Sequence, residues 1–210
     1  MVSQNKTVGV NMKTLIDYYD DYAEAWAEKW YADSTLLPYL TEFVKLLPNN
    51  ATVLDLCCGA GYESKRLTNL GVKVVGADLS EKSIEIAKQH NPNLNFFVKD
   101  MLLPYTDLGK FNGVACIAGL VHLPEDKLEV AFKNMHDVLL DGGYVFIAVK
   151  NGDKVIKSIE VDGKEYAREF YCYTLTKLIE QSTKYFNFVN ELDSKDDWKY
   201  YIFQKKIKMV

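Results

Sequence analysis

The sequence has no excess of basic residues and no long apolar run. Its 25 Lys and Arg residues are outnumbered by 29 Asp and Glu residues, which gives a formal net charge of −4 over 210 residues. A general electrostatic attraction to nucleic acid or to an anionic membrane surface is therefore not expected. The first residues lack the charged start and apolar core of a signal peptide, and no apolar run is long enough to cross a bilayer. We therefore expect a cytoplasmic protein that binds neither nucleic acid nor membrane.

Cysteine is also scarce, and its spacing does not suit a metal. The four cysteines are Cys57, Cys58, Cys116 and Cys172, and no two of them form a C-x-x-C pair. Adjacent residues such as Cys57 and Cys58 cannot easily chelate one ion. We expect reduced, mostly buried thiols and no metal site.

The middle of the chain alternates short β-rich runs with longer amphipathic segments, which is the pattern of βαβ units on a parallel sheet. The predicted strands are Thr52–Leu56, Val72–Ala77, Leu94–Val98, Gly113–Ala118, Tyr144–Val149, Phe186–Leu192 and Trp198–Lys205. The predicted helices are Leu15–Tyr31, Leu36–Leu47, Tyr62–Asn69, Ser80–His90, Pro124–Leu139 and Thr174–Ser182. With 48% apolar residues the chain can bury a substantial core, and we expect one domain over residues 1–210.

The two ends of the chain differ from this alternating pattern. Residues 1–50 are predicted to form a helical cap rich in aromatic side chains, and residues 151–170 an inserted hairpin that turns at Val161–Lys164. In the last predicted strand, Tyr200 and Ile202 point to one face while Tyr201 and Phe203 point to the other. Because both faces carry large apolar groups, this strand is predicted to lie inside the sheet.

A glycine-rich turn follows the first strand in VLDLCCGAGY, residues 53–62, and the strand carries one acid, Asp55. Gly59 and Gly61 would let a ligand approach bare backbone N–H groups and the positive end of a helix. The turn is open to three interpretations: a dinucleotide site, a metal or redox site, and a site for another nucleoside-bearing cofactor. The dinucleotide pattern G-x-G-x-x-G would need a glycine where Ser64 stands.

Three acids end three consecutive strands and narrow the choice of ligand. Asp55 would repel a pyrophosphate but would suit a positively charged amine. Asp78 stands where a carboxylate accepts both hydroxyls of a ribose, and Asp100 could accept a hydrogen bond from the exocyclic amine of a base. Helix capping or turn chemistry is the alternative explanation for each of them.

Five segments resemble, in order and spacing, the motifs of class I S-adenosylmethionine-dependent methyltransferases. They are VLDLCCGAGYES, VVGADLS, FFVKDM, FNGVACIAGLVHLP and VLLDGGYVFIAV. The resemblance spans roughly residues 15–205. It implies an α/β, Rossmann-like fold with helices on both faces of a mostly parallel, seven-stranded sheet whose last strand is antiparallel. It also implies S-adenosyl-L-methionine as the cofactor.

The resemblance also implies a role for individual residues. It assigns Asp55, Gly59 and Gly61 to the methionine part of the cofactor, Asp78 to the ribose hydroxyls and Leu79 to the adenine face.

Four further residues are implied as cofactor contacts on three other segments. Asp100 and the backbone of Met101 would bind the edge of the adenine, and the carbonyl near Ile117 would accept from the methionine amine. Tyr19 belongs to a segment, residues 19–26, that resembles the aromatic entry helix covering the cofactor. In that segment Trp26 stands where a tyrosine is common.

Two residues are candidates for the acceptor side. His122, after the fourth strand, is placed to remove a proton from an acceptor, unless it only bonds a backbone group of the loop. Arg168, at the end of the inserted hairpin, would bind an anionic substrate group or pair with a nearby acid. The hairpin itself would roof the substrate side.

The predicted function is transfer of a methyl group from S-adenosylmethionine to a small-molecule acceptor by in-line displacement. Two alternatives are a protein that binds S-adenosylmethionine or S-adenosylhomocysteine without turnover and an NAD-dependent oxidoreductase on a similar sheet. The sequence leaves the acceptor, the methylated atom and the oligomeric state open.

Overall fold

The computed structural model describes residues 14–153, 155–156, 159–166, 169–194 and 197–207. Within them, seven strands form one sheet: β1 (Thr52–Leu56), β2 (Lys73–Asp78), β3 (Asn95–Val98), β4 (Phe111–Ile117), β5 (Leu139–Lys150), β10 (Phe186–Leu192) and β11 (Trp198–Lys205). Their order across the sheet is β10-β11-β5-β4-β1-β2-β3. β1 to β5 pair in parallel, while β11 is antiparallel to both β5 and β10. The predicted fold class is confirmed.

Seven α-helices lie in the described residues. They are α1 (Leu15–Asp21), α2 (Ala23–Ala32), α3 (Leu37–Lys45), α4 (Tyr62–Asn69), α5 (Glu81–His90), α6 (Glu125–Val138) and α7 (Leu175–Ser182). Short 3-10 turns at Thr106–Leu108 and Leu120–His122 flank β4. None of these helices is long and apolar enough to cross a membrane, counted over the described part of the chain.

Two apolar layers cover the two faces of the sheet. α6 and α7 pack on one face, where Phe132 and Leu178 are fully buried in the same cluster as Phe203 of β11. α3 and α4 pack on the other face, where Phe43 and Leu67 join Ile202. The alternating burial of β11 on both faces confirms the prediction that this strand lies inside the sheet.

The predicted first helix is wrong in one respect, because it is two helices that meet at Tyr22. Tyr22 has a non-helical backbone (φ −110°, ψ 11°) and ends α1. Its hydroxyl donates to the Asp162 carboxylate at 3.0 Å, in a segment far away in the sequence. This tertiary contact leaves no signal in the helical period of residues 15–31.

The fifth strand begins earlier than predicted. α6 ends at Val138, and β5 starts at Leu139, which pairs with Phe111 of β4. The prediction placed the start at Tyr144, after the predicted helix Pro124–Leu139 and the two glycines Gly142 and Gly143. Gly142 has a positive φ of 77° inside the strand, so the glycines form an irregularity in the strand instead of ending the helix.

The inserted segment contains the predicted hairpin. β7 (Ile159–Val161) and β8 (Lys164–Tyr166) pair antiparallel, and Asp162 and Gly163 between them have positive φ values of 53° and 71°. Two positive φ values are typical of the two-residue turns that match strand twist. A second short pair joins β6 (Val155–Ile156) to β9 (Phe170–Tyr171).

Candidate functional site

A cavity of about 640 Å³ lies at the carboxyl ends of β1, β2 and β4 and beside the residues that follow β3. It is lined by nine of the residues predicted from the sequence: Tyr19, Asp55, Gly59, Asp78, Leu79, Asp100, Met101, Ile117 and His122. Parallel strands bring their carboxyl ends to one edge of a sheet, which is why residues so far apart in sequence meet there. Arg168 lies outside the described residues.

The glycine turn bends sharply away from β1. Gly59 has a positive φ of 51°, and a Cβ there would lie 3.1 Å from the Tyr62 hydroxyl. The Gly59 N–H donates to the Asp78 carboxylate at 2.8 Å, so the turn and the end of β2 are held together.

Gly61 does not line the cavity. It has a positive φ of 80°, and a Cβ there would lie 2.9 Å from the Phe96 ring. Gly61 therefore permits close packing behind the turn, and any part it plays in cofactor binding stays a prediction. Cys57 and Cys58 both line the cavity, Cys58 is buried, and all four cysteines of the chain are free thiols.

Asp55 is a fully buried acid at the end of β1. Its Oδ2 accepts a hydrogen bond from the Ser64 hydroxyl at 2.6 Å, while Oδ1 has no hydrogen-bond partner among the described residues. Burial raises the pKa of this carboxyl to about 7, against the weaker opposing effect of the Ser64 hydrogen bond. An acceptor atom left without a donor inside a cavity suits a ligand that brings N–H groups.

Asp78 is tied down by backbone donors at the end of β2. Besides the Gly59 N–H, the Ser80 N–H donates to its Oδ1 at 2.9 Å. Burial raises the pKa of Asp78, and these backbone hydrogen bonds act in the opposite direction. A carboxylate oxygen has more than one lone pair, so each can still accept from a ligand hydroxyl.

The adenine end of the predicted site lies after β3. Asp100 Oδ1 accepts from the Leu102 N–H at 2.8 Å. This is a turn contact of the kind predicted if Asp100 serves the local backbone and not a ligand. The same residue lines the cavity, so a turn role and a ligand role are compatible. Leu79 is 43% exposed beside Asp78 and presents an apolar surface on which a flat ring could pack.

Helix α1 closes the cavity from the other side. The Tyr19 hydroxyl lies 2.8 Å from Nε2 of His122, and their rings meet edge to face at 5.4 Å. The Asp20 carboxylate accepts from the Ser80 hydroxyl at 2.5 Å, which joins α1 to the loop that follows Asp78. Ser80 also caps α5 by accepting from the Ser83 N–H at 3.0 Å.

The hairpin β7–β8 packs on α1 through Tyr166. The Tyr166 hydroxyl donates to the Asp21 carboxylate at 2.8 Å, and the Tyr166 ring packs edge to face on Tyr18 at 5.3 Å. Tyr22 contacts the same ring at 5.9 Å. The aromatic residues of the N-terminal cap therefore divide between packing on the hairpin and facing the cavity.

Sequence reasoning missed Glu63, a buried acid that lines the cavity. Its Oε1 pairs with Arg66 Nη1 at 2.8 Å, and Oε2 has no partner among the described residues. Burial raises the pKa of Glu63 to about 7, and Arg66 opposes this shift. A signal was present in the sequence, because Glu63 and the core residue Leu67 share one face of α4.

Across the part of the chain that the structure describes, no three His, Cys, Asp or Glu side chains are grouped so that they could hold an ion. The acids at the strand ends are instead spread along the cavity, and each of them engages a hydroxyl or backbone N–H donor.

Comparisons with known proteins agree with the fold and with the order of the motifs. A family model described as a methyltransferase domain matches residues 53–143. A ubiquinone biosynthesis O-methyltransferase of Xanthomonas axonopodis pv. citri is 28% identical over 164 residues, covering 72% of this chain and 66% of the relative. The chain spans between about half and two thirds of the length of the curated relatives first matched.

Solved structures show the same architecture. The PH0226 protein of Pyrococcus horikoshii superposes with a TM-score of 0.70 at 26% identity, covering 82% of this chain and 88% of that one. A TehB-like SAM-dependent methyltransferase of Corynebacterium glutamicum also gives a TM-score of 0.70, at 20% identity. The superposition covers 90% of this chain and 99% of that one. Together with the matched domain and the ordered acids at the strand ends, these likenesses make the chain similar, in sequence and in fold, to S-adenosylmethionine-dependent methyltransferases of class I.

Proposed function

We propose that this protein transfers the methyl group of S-adenosylmethionine to a hydroxyl oxygen of a small-molecule acceptor. The main support for S-adenosylmethionine as the cofactor is Asp55 Oδ1. This buried acceptor atom lies in the cavity wall beside the glycine turn and has no hydrogen-bond partner among the described residues. A dinucleotide would bring negatively charged phosphates to this acid, whereas the cofactor brings an ammonium group there. The NAD-dependent alternative is therefore the weaker one.

The remaining cavity residues fit the other parts of the cofactor. In this proposal Asp78 accepts from the ribose hydroxyls, Leu79 packs on the adenine, and Asp100 and the Met101 backbone bind the adenine edge. The Gly59 backbone and the Ile117 carbonyl face the methionine part. When bound, the cofactor supplies a methyl group on a positively charged sulfur that is already a good leaving group.

The chain's own task is then to hold the acceptor in line with that methyl group and to exclude water. The cavity is lined near His122 by apolar side chains that can exclude water, among them Leu123 and Phe170. His122 would take the proton from the acceptor hydroxyl on Nδ1, in the tautomer whose Nε2–H donates to the Tyr19 hydroxyl and so holds the ring. The names of the curated relatives, which are O-methyltransferases, support an oxygen acceptor.

Isotope labelling tests the proposal directly. Purified protein is incubated with deuteromethyl-labelled S-adenosylmethionine and a metabolite extract, and the products are analysed by mass spectrometry. We expect a labelled product of low molecular mass whose fragmentation places the label on oxygen, and none with heat-denatured protein. Label on nitrogen would refute the oxygen acceptor.

Two results would favour the alternatives. Binding of S-adenosylhomocysteine without any labelled product from broad extracts would indicate a protein that holds the cofactor without turnover. Calorimetric binding of NAD together with no response to S-adenosylhomocysteine would indicate the oxidoreductase.

A further inference from the structure

In α2, β1 and α4, three buried polar atoms of the cavity wall lack a hydrogen-bond partner among the described residues. They are Trp26 Nε1, Asp55 Oδ1 and Glu63 Oε2, and all three residues line the same cavity. A buried polar atom without a partner costs free energy, so several in one cavity indicate groups that a ligand must supply. One of these atoms is a donor and two are acceptors.

Glu63 is held in a fixed position by Arg66. Arg66 Nη1 donates to Glu63 Oε1 at 2.8 Å, while Arg66 Nη2 donates to the backbone carbonyls of Trp30 and Asp33 at the end of α2. Because Arg66 is anchored to two carbonyls, it does not reach around to the second carboxylate oxygen. Oε2 is therefore the atom that Glu63 leaves for a ligand.

The charges around Glu63 favour a cation. Asp55 and Asp33 act on the Glu63 carboxyl with like charge, and Arg66 is the opposing cation. Three carboxyl groups against one guanidinium leave an excess of negative charge when all are ionised. An ammonium group has three N–H donors and a positive charge, which match two carboxylate oxygens in such surroundings.

Trp26 presents a donor from the helix that covers the cavity. Its ring stacks on Trp30 with centroids 6.2 Å apart and an interplanar angle of 12°, which restrains the plane of the indole. Lys29 Nζ lies 5.0 Å from the Trp26 ring and adds positive charge on this side. An indole N–H beside a cation suits a carboxylate.

We propose that Trp26 and Glu63 bind the amino-acid end of the cofactor. Glu63 Oε2 joins Asp55 Oδ1 in accepting from the ammonium group, and Trp26 Nε1 donates to the carboxylate. The inference rests on the proposed use of S-adenosylmethionine. It adds a second acid to the amine site and a buried indole N–H donor for the carboxylate.

Calorimetry with two ligands tests this assignment. S-adenosylhomocysteine carries the amino-acid end, whereas 5′-methylthioadenosine shares the adenosine and the thioether but lacks that end. We expect Glu63→Gln and Trp26→Phe each to weaken S-adenosylhomocysteine binding by about tenfold to a hundredfold. Binding of 5′-methylthioadenosine should change less than about twofold, because the lost contacts involve a group it does not have. Glu81→Gln, an exposed acid in the first turn of α5, is the matched control and should bind both ligands as the wild type does.

The outcomes separate this inference from the proposed function. Wild-type affinity for S-adenosylhomocysteine in both variants would overturn the inference and leave the proposed function standing. Equal loss of both ligands, or a large fall in melting temperature, would assign the two residues a structural role and also overturn it. A wild-type protein that binds neither ligand would instead contradict the proposed cofactor use itself.

Discussion

The hydroxyl of Tyr19 and Nε2 of His122 are 2.8 Å apart, although the two residues are separated by 103 positions in the sequence. The contact joins the first helix of the chain to the loop that follows β4. On its other side, the His122 ring packs edge to face on Phe170 at 5.5 Å. The imidazole is therefore held from two directions, as a group must be if it is to meet an acceptor in one orientation.

Replacing His122 tests its role as a base. We expect His122→Ala to lower methyl transfer by about 10²–10⁴-fold, the usual contribution of a general base. Affinity for S-adenosylhomocysteine should stay within about twofold of wild type. Single-turnover transfer to the acceptor found by isotope labelling measures the rate, and His136→Ala, outside the cavity, serves as control. Full turnover by His122→Ala would remove His122 from the mechanism.

Tyr19 is expected to act through His122 as a positioning residue. Tyr19→Phe keeps the ring and deletes the hydroxyl, so we expect a smaller loss of rate than for His122→Ala. The loss should fall on the rate of methyl transfer and leave the affinity for S-adenosylhomocysteine unchanged, because the deleted hydroxyl holds the His122 ring. An equal loss of rate and of cofactor affinity would assign Tyr19 a structural role instead.

Asp78 is expected to contribute to cofactor binding through the ribose. Asp78→Asn should weaken S-adenosylhomocysteine binding by about 1.5–3 kcal/mol, the usual value for hydrogen bonds to a charged group. Calorimetry at constant pH measures the change. Asp126→Asn, an exposed acid on α6, should have no effect. Unchanged affinity in Asp78→Asn would refute the ribose assignment.

Asp55 is expected to make the stability of the ligand-free protein depend on pH. Burial raises its pKa from 3.8 to about 7. A raised carboxyl pKa means that ionisation of Asp55 destabilises the folded state. This destabilisation is absent below about pH 4, where the carboxyl is protonated in both the folded and the unfolded protein. It grows to its full size as the pH rises to about 7 and is constant above that.

Asp55→Asn should remove this dependence. We expect the variant to exceed the wild type in unfolding free energy at pH 8, by up to about 4 kcal/mol, and to match it near pH 4. Urea denaturation at both pH values gives the difference. Saturating S-adenosylhomocysteine should stabilise the wild type at pH 8 and the variant much less. Parallel stability curves for the two proteins would contradict the argument.

Gly61 is expected to matter for packing, and Gly71 offers a matched comparison. Both have positive φ values, 80° and 93°, but a Cβ meets the Phe96 ring only at Gly61 and has open space at Gly71. Gly71→Ala should cost about 1–2 kcal/mol for backbone strain. Gly61→Ala should cost about 1–3 kcal/mol more for overpacking. Equal losses by thermal denaturation would show that Phe96 yields to the added methyl group.

The sequence was sufficient to predict the sheet and most of the cavity wall, because the signals involved are local. The strand, glycine turn and helix around Asp55 follow one another within a few residues. Likewise, Asp78 ends a strand and Ser80 begins the next predicted helix two residues later. Once the strands are parallel, their carboxyl ends meet, and the side chains there share one cavity. The prediction of the cavity wall therefore required no knowledge of contacts between residues that are far apart in the sequence.

The features that were missed depend on contacts between distant segments. The break at Tyr22 accompanies a hydrogen bond to the hairpin. Glu63 is oriented by an arginine that is itself held by carbonyls of α2. The early start of β5 depends on the pairing of Leu139 with Phe111. Helical periods and turn residues carry no information about such partners.

The position of β11 has a consequence for synthesis on the ribosome. β11 separates β10 from β5, so the strand made earlier, β10, has no neighbour in the sheet until Trp198–Lys205 has emerged. Until then the nascent chain exposes the edge of β5 and the apolar faces that Tyr201 and Ile202 will cover. Closing this half of the sheet is thus a late, non-local step, at which a chaperone would find its binding surface.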